Sequence, residues 1–214
     1  MCGIVGYNGA RPVTDFLLDA LELLEYRGYD SAGLATINAE TGRTKLRKCA
    51  GRVADLRKVC ENDKKQATCG IGHTRWATHG GVSDENAHPH RQGNVLLVHN
   101  GIVENYEELR DHFMLSKDLK SETDTEVVAG VLNRYYDGDP HKAIAQTVKH
   151  LKGTFALVII FDDIPDVIYA IRNVSPIVAA RTEDGTMLAS DVAALGSHAT
   201  EYMVVPEYQI VELH

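Results

Sequence analysis

The chain has 214 residues, of which 44% are hydrophobic and 24% are charged, and it carries a formal net charge of −8. This composition predicts a globular protein with a substantial core, and the acidic charge excludes the basic face that nucleic-acid binding needs. The longest apolar run, residues 155–161, is far shorter than the ~18 residues of a membrane-spanning helix. The first residues also lack the apolar stretch of a signal peptide. We therefore expect a cytoplasmic protein without nucleic-acid or membrane partners.

The apolar pattern predicts five helices. The clearest runs from Val13 to Leu24 and ends at the segment YRG. Weaker helical patterns cover residues 54–61, 106–115, 125–135 and 141–151. Thr123 or Asp124 is suited to cap the helix over 125–135.

Strand patterns fill most of the remaining chain. They cover residues 3–7, 32–37, 44–48, 70–73, 95–99, 155–161, 167–172, 177–181, 186–189, 202–205 and 209–213. The last six follow one another across short polar turns, which predicts an antiparallel meander. With helices concentrated in the first two-thirds of the chain, the pattern favours two antiparallel sheets packed face to face and covered by helices.

Cys2 directly follows the initiator methionine. Removal of Met1 would give this residue a free α-amine beside its thiol, with reference pKa values of about 7.7–8.0 and about 8.5. One residue would then supply both a nucleophile and a base. The alternative interpretation is a small residue that opens a strand.

Four of the ten histidines, His73, His79, His88 and His90, cluster around the only tryptophan of the chain. They invite a metal site. However, a strand end and a glycine-rich loop give no regular ligand spacing, and no acidic residue or cysteine falls at ligand spacing among them. We therefore predict no metal here. Arg75 in the same loop offers a planar fork for a carboxylate, or else a surface ion pair.

Three other segments carry polar groups suited to a site. Arg27 lies between two tyrosines in the segment YRGYDSAG and either ends a helix or braces a chain terminus. Asn100 and Gly101 are typical of a turn, but a side-chain amide next to a backbone N–H also suits an oxyanion hole. Asp124 lies in an acidic helix start, where it is either a cap or a partner for a substrate ammonium.

The order of these segments is more specific than any one of them. Together they resemble the glutaminase (class II glutamine amidotransferase) domain of the glutamine–fructose-6-phosphate aminotransferase family, over essentially the whole chain. The segments are MCGIVG (1–6), YRGYDSAG (26–33), HTRWATHG (73–80), HNG (99–101) and SETDTE (121–126). The resemblance implies a single α+β domain over residues 1–214 with the N-terminal nucleophile hydrolase fold, a four-layer αββα sandwich.

The resemblance also implies roles for single residues. Cys2 would be the nucleophile, with its own α-amine as the proton acceptor. Asn100 and Gly101 would form the oxyanion hole. Arg75 would bind the α-carboxylate of glutamine, and Asp124 its α-ammonium group.

A loop that closes over glutamine is implied as well. Its residues correspond to Trp76, Thr78, His79 and His88, and Trp76 also resembles the residue that gates ammonia passage. Arg27 resembles the residue that supports the nucleophile. The family pattern implies neither a cofactor nor a metal.

The implied partners are L-glutamine and C-terminal isomerase domains that aminate fructose 6-phosphate. We expect those domains to be absent from this chain and the full-length enzyme to be a homodimer. The segment VSPIVAAR (174–181) departs from the family pattern, which has glycine where Val174 stands. Three alternatives remain open: a glutamine-binding domain without activity, favoured if Met1 is retained; the glutaminase of a related amidotransferase; and a histidine-cluster metal protein.

Overall fold

The computed structural model describes residues 2–38, 40–63, 67–77 and 80–214. The α-helices in these ranges are α1 (Val13–Glu22), α2 (Val53–Val59), α3 (Tyr106–His112), α4 (Asp124–Tyr135) and α5 (Pro140–Val148). Two short 3₁₀ helices cover Glu25–Arg27 and Val192–Ala194. In this part of the chain, no helix is long and apolar enough to cross a membrane.

The strands of the described residues follow in chain order. They are β1 (Gly3–Gly9), β2 (Ser31–Ile37), β3 (Thr44–Ala50), β4 (Cys69–Arg75), β5 (His90–Gln92), β6 (Val95–Val103), β7 (Gly153–Phe161), β8 (Ile164–Asn173), β9 (Val178–Thr182), β10 (Gly185–Ala189), β11 (Ala199–Val204) and β12 (Val211–Leu213).

Within the described ranges these strands form two antiparallel sheets. The first sheet has the order β11-β9-β10-β1-β4-β2-β3, and the second has the order β12-β8-β7-β6-β5. Strand β1 lies in the middle of the first sheet, where it pairs with β10 on one side and β4 on the other. The first residues of the chain are therefore held on both edges by backbone hydrogen bonds.

The sheets pack face to face, and helices cover both outer faces. The core between the sheets includes Ile4, Ile71, Val98 and Ile168, all fully buried. A second core joins α1 and α2 to the first sheet, and a third joins α3, α4 and α5 to the second sheet. Because each sheet buries apolar side chains on both faces, helices are needed outside as well as a sheet inside. The predicted four-layer αββα sandwich is confirmed.

The predicted meander of the last six strands is wrong. Strands β7 and β8 form a hairpin in the second sheet, the chain then crosses to the first sheet for β9, β10 and β11, and β12 returns to pair with β8. Strand β11 pairs with β9 rather than with its neighbour β10. Apolar side chains of β8 and β10 enter the same core, as Ile168 and Leu188 do, so their sequence patterns do not distinguish the two sheets.

The crossing between the sheets begins at Val174. This residue has a φ of 67°, a left-handed conformation that is rare for a β-branched side chain. Its backbone is held by Glu207, which accepts the Val174 N–H at 3.2 Å, and by Arg172, which donates to the Val174 carbonyl at 3.3 Å. Glycine, which the resemblance led us to expect here, adopts a positive φ without steric cost.

Candidate active site

Cys2 lies directly before the central strand β1 and is partly buried. Its carbonyl oxygen accepts hydrogen bonds from Nε of Arg27 at 3.2 Å and from Nδ2 of Asn100 at 3.0 Å. Its Sγ accepts the backbone N–H of Trp76 at 3.2 Å. Burial raises the pKa of the Cys2 thiol, while the Trp76 hydrogen bond and the charges of Arg75 and Arg27 act in the opposite direction.

Arg27 is itself fixed by an acidic residue that the sequence analysis missed. Nη1 of Arg27 donates to Oδ2 of Asp191 at 2.6 Å, and the Tyr26 hydroxyl donates to the same oxygen at 2.8 Å. Oδ1 of Asp191 accepts the backbone N–H of Ala193 at 3.0 Å. The Ala193 hydrogen bond, followed by those from Tyr26 and Arg27, holds the pKa of Asp191 below its usual range. Asp191 is 189 positions from Cys2, so no local pattern pointed to it.

The neighbouring Ser190 fixes the start of β1 directly. Its Oγ accepts the backbone N–H of Ile4 at 2.9 Å, and its own N–H donates to the Ile4 carbonyl at 2.9 Å. The turn after β10 thus holds the start of the chain in two ways. Ser190 bonds directly to Ile4 of β1, and Asp191 fixes Arg27, which bonds to the Cys2 carbonyl. Neither residue had a recognisable signal in the sequence.

Arg75 and Asp124 face a narrow cleft beside Cys2, and both are buried. Arg75 ends β4 and donates to the carbonyls of Gly81 at 3.0 Å and Gly80 at 3.4 Å. Burial lowers the pKa of Arg75, and the acidic groups around it oppose this effect. The cleft is small, with a cavity volume of about 30 Å³.

Asp124 is the first residue of α4, but it is not the cap of that helix. The Thr123 hydroxyl accepts the backbone N–H of Glu126 at 3.3 Å and so performs the capping. Asp124 instead turns toward β6, where its Oδ2 accepts the backbone N–H of Val103 at 2.9 Å. Its carboxylate is therefore anchored by the strand and lines the cleft.

A larger cavity of about 330 Å³ opens on the other side of Cys2. Its walls include Ile102, Thr154 and Pro176. Cys2, Trp76 and Gly101 line both this cavity and the narrow cleft. The nucleophile candidate therefore lies where two spaces of different character meet, one charged and one largely apolar.

Gly101 is required at this junction. Its φ is 130°, and an added Cβ would overlap the carbonyl oxygen of Thr154 on β7. Only glycine combines this conformation with such a close approach of neighbouring backbone. Trp76 is half exposed, and its ring lies 6.0 Å from that of Tyr29 in an edge-to-face contact.

Three of the four clustered histidines form a buried group below the cleft. The rings of His73 and His88 stack at 4.1 Å, and His90 lies edge-on to His88 at 4.9 Å. Burial lowers the pKa of His73 to about 3 and lowers those of His88 and His90 well below the usual value. These rings are neutral near pH 7, and His88 contributes to the wall of the cleft.

One nitrogen of each of these three rings bonds to protein atoms, and these contacts do not converge on one point. His90 Nε2 is 3.0 Å from the Thr123 hydroxyl, and His88 Nδ1 accepts the backbone N–H of His99 at 3.4 Å. His73 Nε2 contacts the His99 carbonyl and Oδ1 of Asn100, both at 3.1 Å. Among the residues that the structure describes, no group of three His, Cys, Asp or Glu is arranged to hold a metal ion.

The remaining predicted site residues divide into two groups. Thr78 and His79 lie outside the described residues. All the others are at the cleft or at Cys2: Arg27, Arg75, Trp76, His88, Asn100, Gly101 and Asp124.

Asn86 and Glu122 support the loop that holds Arg75. Glu122 N–H donates to Oδ1 of Asn86 at 2.9 Å, and Nδ2 of Asn86 donates to Oε2 of Glu122 at 3.0 Å. The same Glu122 oxygen accepts the N–H of Gly81 at 3.2 Å, and the pair thereby fixes a backbone segment that binds Arg75. Glu122 lies inside the segment SETDTE that was singled out in the sequence, but only the fold reveals its pairing with Asn86.

Two antiparallel sheets enclosed by helices on both outer faces match the architecture of the N-terminal nucleophile hydrolase fold. A sequence profile of the glutamine amidotransferase domain matches residues 73–197. The chain belongs to this glutamine amidotransferase domain family, as the order of the five segments predicted.

Relatives of known identity extend the similarity to the whole chain. It is 42% identical over 217 residues to the glutamine–fructose-6-phosphate aminotransferase (isomerizing) of Clostridium acetobutylicum, covering 100% of this chain and 35% of the relative. It is 45% identical over 216 residues to the enzyme of the same name from Symbiobacterium thermophilum, with the same two coverages. The chain thus spans about a third of the length of these relatives.

Solved structures agree on the fold. The glutamine phosphoribosylpyrophosphate amidotransferase of B. subtilis, complexed with ADP and GMP, matches with a TM-score of 0.81 at 22% identity, over 99% of this chain and 48% of that one. A glutamine aminotransferase class-II domain protein from Silicibacter pomeroyi matches with a TM-score of 0.62 at 14% identity, over 99% and 98% of the two chains. At these identities the likeness concerns the architecture alone.

Proposed function

We propose that this domain hydrolyses the side-chain amide of L-glutamine to glutamate and ammonia through a thioester on Cys2. One observation carries the proposal. The Cys2 thiol lies beside a cleft in which a buried arginine and a buried aspartate, Arg75 and Asp124, offer one charge of each sign. A zwitterionic amino acid presents the complementary pair of charges, a carboxylate and an ammonium group.

Binding places the reacting amide at the nucleophile. Arg75 receives the α-carboxylate in its planar fork, and Asp124 receives the α-ammonium group. Because the cleft holds only about 30 Å³ of free space, glutamine entry requires the cleft to widen. In this arrangement the carbonyls of Gly80 and Gly81 share the Arg75 guanidinium with the α-carboxylate.

The reaction is an acyl transfer in two steps. After removal of Met1, the α-amine of Cys2 accepts the thiol proton while Sγ bonds to the side-chain carbonyl carbon of glutamine. The oxyanion collects hydrogen bonds from Asn100 and Gly101, and the C–N bond breaks as the amine returns the proton to departing ammonia. Water then attacks the thioester, which releases glutamate and regenerates the thiol.

We further infer that ammonia is delivered to a sugar-phosphate isomerase domain in a longer protein, which converts fructose 6-phosphate to glucosamine 6-phosphate. The names and lengths of the relatives support this inference, since the chain corresponds to about a third of each. The larger cavity beside Cys2 offers an exit separate from the charged cleft, and Trp76 borders both.

The test is intact mass together with glutamate release. We expect the active protein to lack Met1, to gain one adduct of 6-diazo-5-oxo-L-norleucine on Cys2, and to release glutamate from glutamine. Cys2→Ala should lose adduct and turnover while keeping its circular dichroism spectrum. Cys49→Ala is the matched control, because Cys49 lies on β3, three strands from β1, and should keep both.

A protein that lacks Met1 but neither forms the adduct nor releases glutamate would refute the proposal. Tight glutamine binding without glutamate release would instead identify a domain that binds glutamine and lacks activity. Glutamate release by Cys2→Ala at the wild-type rate would mean that another group is the nucleophile.

A further inference from the structure

His73 lies outside the linings of both spaces around Cys2, yet it contacts a residue of the proposed oxyanion hole. Its ring is fully buried between the sheets. His73 sits on β4, opposite Ile4 of β1 and Gly33 of β2 in the sheet register. It therefore lies within the sheet, two residues before β4 ends at Arg75.

The contacts of His73 determine which of its nitrogens carries the proton. Nε2 lies 3.1 Å from the backbone carbonyl of His99, which can only accept a hydrogen bond. Nε2 must therefore be the protonated nitrogen of a neutral ring. An atom of the Asn100 side-chain amide also lies 3.1 Å from Nε2. Because Nε2 is a donor, this atom must be the acceptor, the oxygen Oδ1.

The other end of the Asn100 amide agrees with this assignment. Its second polar atom lies 3.0 Å from the carbonyl oxygen of Cys2, an acceptor, and so must be the amino group. That group has two N–H bonds, one of which serves the Cys2 carbonyl and leaves one for the substrate. The amide is thus oriented from both sides, by a donor below it and an acceptor above it.

We propose that His73 is a positioning residue that fixes the Asn100 amide with its amino group toward the nucleophile. The proposal rests on the proposed glutaminase function. Without the donor of His73, only the Cys2 carbonyl still orients the amide, so the amide turns by 180° more often and then presents its oxygen where the oxyanion forms. An oxygen at that place repels the developing negative charge, so the loss concerns the transition state rather than ground-state binding.

The environment of His73 is suited to this task over a wide pH range. Its ring stacks on His88 at 4.1 Å, which restrains rotation about its side-chain bonds. Because burial lowers its pKa to about 3, the ring stays neutral and keeps one donor at ordinary pH. The positive charge of Arg75 also favours the neutral ring.

The experiment compares His73→Leu with His73→Gln in the 214-residue protein, with glutamate release as the assay. The amide nitrogen of Gln reaches the position of Nε2 and restores a donor, whereas Leu fills the space without one. We expect His73→Leu to lower kcat by about 100-fold, the size of effect known for loss of one oxyanion-hole donor. Its KM for glutamine should stay within about threefold, and His73→Gln should recover at least tenfold of the lost kcat.

A double-mutant cycle separates positioning from a general structural role. We expect the variant that combines His73→Leu with Asn100→Ala to be no slower than Asn100→Ala alone, because His73 has nothing left to orient. Each of three outcomes would overturn the proposal. These are a kcat loss in the double variant equal to the product of the two single losses, a wild-type kcat in folded His73→Leu, and no recovery of kcat in folded His73→Gln. If His73→Leu does not fold, His73→Asn replaces it, since its shorter amide stops at the position of Nδ1.

The same measurements distinguish this inference from the function on which it rests. A wild-type protein that lacks Met1 and releases no glutamate contradicts the glutaminase proposal itself. An active wild type with an unaffected His73→Leu variant contradicts only the positioning role.

Discussion

Replacing Asp191 with alanine should destabilise the fold and slow catalysis together. Its carboxylate accepts three hydrogen bonds, from Arg27 at 2.6 Å, from the Tyr26 hydroxyl at 2.8 Å and from the Ala193 N–H at 3.0 Å. Arg27 in turn donates to the carbonyl of Cys2. The substitution therefore removes the anchor of a buried guanidinium that supports the nucleophile.

The magnitude follows from the nature of these bonds. A hydrogen bond to a charged group contributes about 1.5–3 kcal/mol, and a neutral one contributes about 0.5–1.5 kcal/mol. Side-chain exposures of 9% for Arg27 and 25% for Asp191 place the pair between a surface and a fully buried ion pair. Allowing for this exposure and for non-additivity, we expect a loss of about 2–3 kcal/mol in the free energy of unfolding. For a chain of this length that lowers Tm by about 4–12 °C.

The assay is urea unfolding followed by circular dichroism, together with glutamate release. Asp184→Ala is the matched control. Asp184 lies just before β10, whereas Asp191 lies just after it, and Asp184 accepts two hydrogen bonds from Arg11 at 2.6 and 2.7 Å. This pair is remote from the Cys2 contacts. Asp184→Ala should lose stability and keep kcat, whereas Asp191→Ala should lose both.

The pH dependence has a definite sign. The pKa of Asp191 is below its usual range in the folded protein, so its stabilising effect is complete above about pH 4, the unfolded value. That effect is lost as the pH falls through the lower folded value. The stability difference between wild type and Asp191→Asn should therefore shrink below pH 4. A difference under about 0.5 kcal/mol at pH 7 between wild type and Asp191→Ala would refute the reasoning.

Two further predictions concern the charged cleft and the crossing between the sheets. Asp124→Asn keeps an acceptor for the Val103 N–H but loses the negative charge. The KM for glutamine should therefore rise about 10–100-fold with little change in kcat. An unchanged KM would exclude Asp124 from ammonium binding. Val174→Gly removes a β-branched side chain from a φ of 67°. It should raise the unfolding free energy by about 0.5–1 kcal/mol after the entropic cost of glycine, and a lower urea midpoint would contradict this strain.

Local signals in the sequence predicted the layers of the fold and most residues around Cys2. Helix spacing and strand alternation depend on near neighbours, so the α-helices and the strands were predicted to within a few residues, apart from the three-residue strand β5. The two short 3₁₀ helices were not predicted. The sheet to which a strand belongs depends on distant partners, and the order of β9–β12 was missed for that reason.

The same distinction separates the site residues. Cys2, Arg75 and Asn100 stand in segments with a specific order along the chain, and the structure brings them together, although their roles stay predictions. Asp191 and Glu122 bond to residues 164 and 41 positions away, respectively. Asp191 follows a strand and Glu122 lies at a helix start. The residues next to them in the sequence do not indicate that either one supports another residue.

The central position of β1 has a consequence for how the protein is made. Its pairing with β10 joins Val5 to Ala189, and Ile4 bonds to Ser190, so β1 is enclosed only after the residues of β10 have been synthesised. Such distant pairing makes folding slow, because a long loop must close before the contact forms. We therefore expect the segment around Cys2 to stay accessible during translation until β10 has been synthesised and pairs with β1.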